Sequence, residues 1–180
     1  ILSGLVGSEM CIRDSITLNP LAHIDLSGLL FMLFFGFGWG KPVVFDPYNL
    51  KNPRKDAAFV SLAGPASNIL LSLCLSILLR LFNLSGFYFI STIGYLLFAP
   101  LITINLTLGI FNLLPIHPLD GFKIIGGLLS DESSYEWFQL QRYGMIFLLV
   151  LIIPLGSTSM LDTILQAILR LVVPLFLPAM

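Results

Sequence analysis

Two long apolar runs, Ala57 to Phe82 and Phe87 to Leu114, are separated only by the short stretch Asn83 to Gly86. Each exceeds the roughly 20 residues that an α-helix needs to cross a bilayer. In hydrocarbon the backbone must satisfy its own hydrogen bonds, so such runs can only be helices. The first run is interrupted by Asn68, a few serines and Arg80, the second by Pro100 and Asn105. A proline there is tolerated when neighbours re-satisfy the freed carbonyl, so a kink is expected in the second run. Composition agrees: 57% of residues are hydrophobic and 11% charged, with a mean hydropathy of +0.95. The chain reads as an all-α polytopic membrane protein, one domain by its length.

Further segments are shorter. Tyr143 to Leu155 and Met160 to Phe176 are separated by "PLGSTS" and carry Asp162 and Arg170, which suits a helical hairpin, one broken crossing or interfacial helices. Leu26 to Gly40 is apolar but short and ends in Gly and Trp, as a half-span or re-entrant piece does. β-Branched residues flank it, and short strands are expected at 16–18 and 43–45, a small β element between membrane segments. Ser130 to Trp137, "SDESSYEW", reads as a polar loop. Ile1 to Ser15 has no basic n-region and no adequate apolar core, so it is not a signal peptide. It reads as an extension foreign to the rest, with a native N-terminus expected in its place, which leaves 16–180 as a single membrane domain.

Lys41, Lys51, Arg54 and Lys55 precede the first run, whereas the loop after it is uncharged. The positive-inside rule therefore puts 51–55 in the cytoplasm, and two crossings bring Asp120 back to that side. The expected location is a prokaryotic inner membrane. A formal net charge of −1 argues against a nucleic-acid partner. Cys11 and Cys74 are too far apart in sequence for a CxxC motif, and no disulfide framework can be built from them.

The chemistry concentrates in "FNLLPIHPLDG", Phe111 to Gly121. An aspartate beside a membrane helix is costly and marks a functional site or a paired charge. The alternative is that Asp120 merely caps a short helix, Gly121 to Leu129. Asn112 stands where the helix must end before Pro115, and its plain role is a C-terminal cap. His117, three residues before Asp120, could share an ion with it, and His23 stands next to Ile24 and Asp25 in "LNPLAHID". Zinc needs three or four ligands, and no HExxH pair is present, so these residues alone leave the metal site incomplete. In "SLAGPASN", Ala63 and Gly64 suit close helix packing, Pro65 suits a first helical turn and Asn68 an interhelical bond. In "GWGKPV", Trp39 and Lys41 suit an interface.

Taken in order, "ITLNPLAHID", "GWGKPV", "NPRK", "SLAGPASN" and "FNLLPIHPLDG" resemble the site-2 protease family of intramembrane zinc metalloproteases, in its compact bacterial and archaeal form. The resemblance covers Ile16 to about Leu129 strongly and the later helices loosely. It implies a zinc cofactor, with Asp120 as the third zinc ligand and Asn112 helping to hold the substrate or the oxyanion. His117, Lys41, Pro42 and Asn68 become pocket or substrate-binding neighbours, and the strand at "KPV" could hold an unwound substrate by β-addition. In the family an HExxH helix precedes "LNPLAHID" and supplies two histidines and a general base. This sequence does not contain it, so truncation is expected and the chain as it stands is expected to be inactive.

The implied function is an intramembrane zinc endopeptidase acting on a membrane protein substrate within the lipid bilayer. Two other readings stand beside it: a catalytically dead membrane scaffold of the same fold, and a small transporter, since broken helices with polar residues also occur there.

Overall fold

The computed structural model describes residues 24–35, 40, 52–84, 86–154 and 158–178. Seven helices lie among them: α1 (Leu26–Phe35), α2 (Pro53–Leu84), α3 (Tyr88–Asn112), α4 (Asp120–Leu128), α5 (Asp131–Gln139), α6 (Gln141–Ile152) and α7 (Met160–Phe176). The chain divides into two compact units, 1–49 and 50–180.

In the first unit, Asp25 starts α1 by accepting from the Gly28 backbone N–H at 3.3 Å. Ten residues of helix span about 15 Å, half a hydrocarbon core, as the short apolar run implies. An isolated antiparallel bridge joins Ile24 to Gly40. The strands expected at 16–18 and 43–45 lie outside the described residues, as do His23, Lys41 and Pro42.

The second unit is built on α2 and α3, both long and apolar enough to cross a membrane. A soluble core helix passes the same test, but such a helix is mostly buried. Here only 22% of the most apolar stretch of α2 and 33% of that of α3 are buried. Large apolar side chains such as Phe59, Leu70, Phe89 and Leu96 stand exposed along both helices. A bilayer covers such surface, and the unit has the architecture of a membrane protein.

α2 starts earlier than its apolar run. Pro53 occupies the first helical position, and Asp56 reaches back to accept from the Asn52 backbone N–H at 3.0 Å. Pro65 therefore lies deep inside α2, not in a first turn as its sequence context suggests, and it is buried. The α2–α3 contact continues into a seam of Leu79, Ile102 and Leu106, against which α7 packs Leu169, Val172 and Val173. Ser72 donates to the Ile102 carbonyl at 3.4 Å, the interhelical bond that Asn68 was expected to make. Arg80 donates to the Leu175 carbonyl at 3.0 Å and Ser76 to that of Phe176. Arg80 thus satisfies carbonyls left open where α7 ends, which explains a cation inside an apolar run.

"SDESSYEW" is a helix, α5, and not a loop. The Ser130 hydroxyl accepts from the Ser133 N–H, Asp131 and Glu132 complement the dipole of the first turn, and Trp137 and Phe138 pack on Phe122 of α4. α6 and α7 are joined through an antiparallel bridge between Pro154 and Ser159, the hairpin among the three expected arrangements.

Candidate active site

α3 ends at Asn112, where the Leu113 N–H still reaches the Gly109 carbonyl at 3.1 Å. Two prolines then forbid helix, and the chain turns on its own backbone: Ile116 N–H to Leu114 at 2.8 Å, and Leu119 N–H to Ile116 at 2.8 Å. The His117–Pro118 peptide bond is cis. Gly121 closes the turn. A Cβ there would run into the carbonyl oxygens of Leu113 and Leu114, so only glycine lets the start of α4 lie against the end of α3.

Asp120 is the first residue of α4. The N-cap is Leu119, in extended conformation and without a side-chain bond, so the plain capping role for Asp120 is not realised. Its half-buried carboxylate makes no hydrogen bond among the described residues. Opposite it stands Gly64 of α2. Among the described residues, a Cβ on Gly64 would meet one atom within 4 Å, Oδ2 of Asp120, at 3.5 Å. Gly64 therefore faces the carboxylate and not a helix backbone; the tight interhelical glycine is Gly109, against Pro65, Asn68 and Ile69. Beyond Asp120, α4 runs back along α2 until Gly127 meets Ala58 and the Arg54 carbonyl.

His117 sits in the same turn. Its ring meets Phe122 edge-on at 5.7 Å, and Gly144 of α6 approaches its backbone too closely for any Cβ. Its Nδ1 is buried without a hydrogen-bond partner. The ring thus lies against α4, while the backbone and Cβ of His117 are held against α6. Asn112 and Asn68 are half-buried and make no side-chain hydrogen bond among the described residues, so neither caps or cross-links the helices. Sequence reasoning missed the wedge Gly121, the clamp Gly144, and the Phe122–Trp137 stack at 5.0 Å fixed by a Trp137 Nε1 bond to the Phe122 carbonyl.

As a metal donor set, this arrangement is partial. A half-buried carboxylate with no protein partner suits a cation, but among the described residues no three His, Cys, Asp or Glu side chains converge.

Residues 89–153, which hold Asn112, His117 and Asp120, match the family model described as peptidase family M50. The chain is also 37% identical over 173 residues to "Putative zinc metalloprotease YwhC" of Bacillus subtilis, covering 92% of this chain and 79% of that protein. The chain belongs to peptidase family M50. Other M50-like relatives include Rip2 of Mycolicibacterium smegmatis, likewise named, 33% identical over 78% of this chain and 54% of its own length. The zinc metalloprotease MJ0392 of Methanocaldococcus jannaschii is 34% identical over 47% of this chain and 23% of its own length. No solved structure matches with significance. Membership of M50 bears out the site-2 protease resemblance drawn from the motifs, and makes the chain a member of a peptidase family.

Proposed function

We propose that this M50 chain is the membrane core of a zinc endopeptidase that hydrolyses peptide bonds in or near membrane segments of protein substrates. The observation that carries the reading is the position of Asp120. Gly64, which faces its carboxylate, lies ten residues beyond Arg54, roughly 15 Å along the axis of α2. With Arg54 at the membrane surface, that is about half of a ~30 Å hydrocarbon core. A carboxylate at that depth, half-buried and without a partner among the described residues, is costly unless it serves a site.

Asp120 would give the ion one anionic oxygen ligand; the histidine pair that the family implies does not occur in this sequence as HExxH. Bound zinc supplies Lewis acidity toward the scissile carbonyl and acidifies water toward neutral pH. Asn112, at the end of α3 and free of protein partners among the described residues, would orient the substrate carbonyl and donate to the oxygen on which charge develops. Leu119 and Phe122, on either side of Asp120 in sequence, are buried. The basic end of α2 and the Arg54–Asp131 ion pair at 2.6 Å would face the cytoplasm.

The test is cleavage of a single-span reporter by this chain fused, ahead of Ile16, to the HExxH helix of an M50 relative. Cleavage is expected, and Asn112→Ala should slow it by roughly a hundredfold or more while zinc is retained, the scale of losing one oxyanion donor. A properly inserted fusion that holds zinc and cuts no membrane reporter would overturn the proposal in favour of a scaffold.

A further inference from the structure

The apolar helices carry several polar side chains, and most are accounted for within the protein. Thr92, Thr103 and Thr107 donate to carbonyls of their own helix; Ser72 and Ser76 reach across to neighbouring helices. At the far end, Asn83 accepts from Ser91. Three carboxamides are not used up. Asn68 and Asn112 make no side-chain bond among the described residues, and Asn105 spends one donor on the Leu101 carbonyl at 2.8 Å. A carboxamide has two donors and an acceptor, so most of this capacity is open.

Helix spacing and one close approach bring the three onto neighbouring faces. Asn105 and Asn112 are seven residues apart on α3, about 20° short of two full turns, so they share a face at a spacing of roughly 10.5 Å. Gly109 lies between them, and a Cβ built on it would stand 3.5 Å from Cβ of Asn68. One turn from Asn68 on α2 is Gly64, which faces the Asp120 carboxylate. Half-buried amides in a bilayer need partners, and an unwound peptide offers alternating N–H and C=O groups that need the same. A helical segment has already satisfied its backbone and gains nothing there.

We infer that Asn105, with Asn68, is a substrate-positioning residue: the amide strip Asn112–Asn68–Asn105 holds the backbone of an extended substrate segment leading away from Asp120. This rests on the proposed peptidase reading and adds a register to it. An extended chain advances about 3.3 Å per residue, so 10.5 Å corresponds to three residues. The peptide group held by Asn105 lies three residues from the one held by Asn112.

The test uses the chain itself in lipid nanodiscs, with Cys11→Ser and Cys74→Ser, and EDTA present throughout so that hydrolysis plays no part. The probe is a synthetic single-span peptide with a central Gly-Ser stretch and one cysteine moved along it. Under mild oxidation, Asn112→Cys should cross-link best at one peptide position, Asn105→Cys three positions away on one side, and Asn68→Cys between them. Leu96→Cys, on the exposed face, should give background only. For Asn105→Leu, peptide binding should weaken about tenfold, while Asn105→Gln stays within about threefold, the scale of one hydrogen bond kept or lost. Failure of the peptide to bind, equal yields from Leu96→Cys, or one shared peptide position for all three asparagine sites would each overturn the inference. The correct register in a chain whose HExxH fusion cuts nothing would sink the peptidase reading alone; cleavage without the register would sink this inference alone.

Discussion

The two ends of the α2–α3 pair are built on opposite rules. From the middle of the pair toward the loop that joins the helices, Leu79, Ile102 and Leu106 fill the space with apolar bulk, Gly94 makes room for Phe82, and α7 seals the seam. At the other end, Gly109, Gly121 and Gly127 let α2, α3 and α4 come close, and Gly64 faces the Asp120 carboxylate. The first arrangement tolerates adjustment, because side chains can repack. The second does not, because what lies opposite Gly121 is main-chain carbonyl oxygen. One end holds the pair together; the other sets positions for chemistry.

This contrast can be broken at either end. Gly121→Ala should have the largest effect, in the exceptional range above roughly 4 kcal/mol, because the new methyl meets two carbonyl oxygens that cannot move aside. Chemical unfolding in detergent should show it, together with protease cutting between α3 and α4. A neutral outcome would mean that α4 is not pinned there. Ile102→Ala at the apolar end should cost about 2–5 kcal/mol by the same measurement. Cross-linking between cysteines placed at 64 and 120 should persist in that variant, since neither position belongs to the apolar seam. The smallest effect is expected for Arg54→Ala, which breaks the ion pair to the exposed Asp131: at most about 1 kcal/mol, fading with added salt. A large loss there would make the pair a structural latch.

Much of this was legible in the sequence. Hydropathy located both long helices, yet missed the first turn of α2, because "PRKD" joins the helix through capping and not through apolarity. For the same reason α5 was read as a loop: its helix is specified by Ser130, two acidic residues and a Trp–Phe contact with α4. Pro65 was misplaced along with the start of α2. The motif around Asp120 pointed to the right turn, but Gly64 facing the carboxylate and Gly121 wedged against α3 depend on how α4 folds back, which no local pattern encodes. Family membership came through because five short motifs in order are far more specific than any one of them.

The central claim is that Asp120 is a metal-binding carboxylate and His117 a wall of its pocket, and zinc content measures that difference directly. In the chain fused to an HExxH helix, elemental analysis after exhaustive dialysis should find one zinc per chain. His117→Ala should keep that zinc, since its ring packs edge-on against Phe122. Asp120→Asn should lose most of it, because a neutral amide is a poor replacement for an anionic ligand. Zinc retained by Asp120→Asn and lost by His117→Ala would contradict the account and move the metal from the carboxylate to the unpartnered nitrogen of His117.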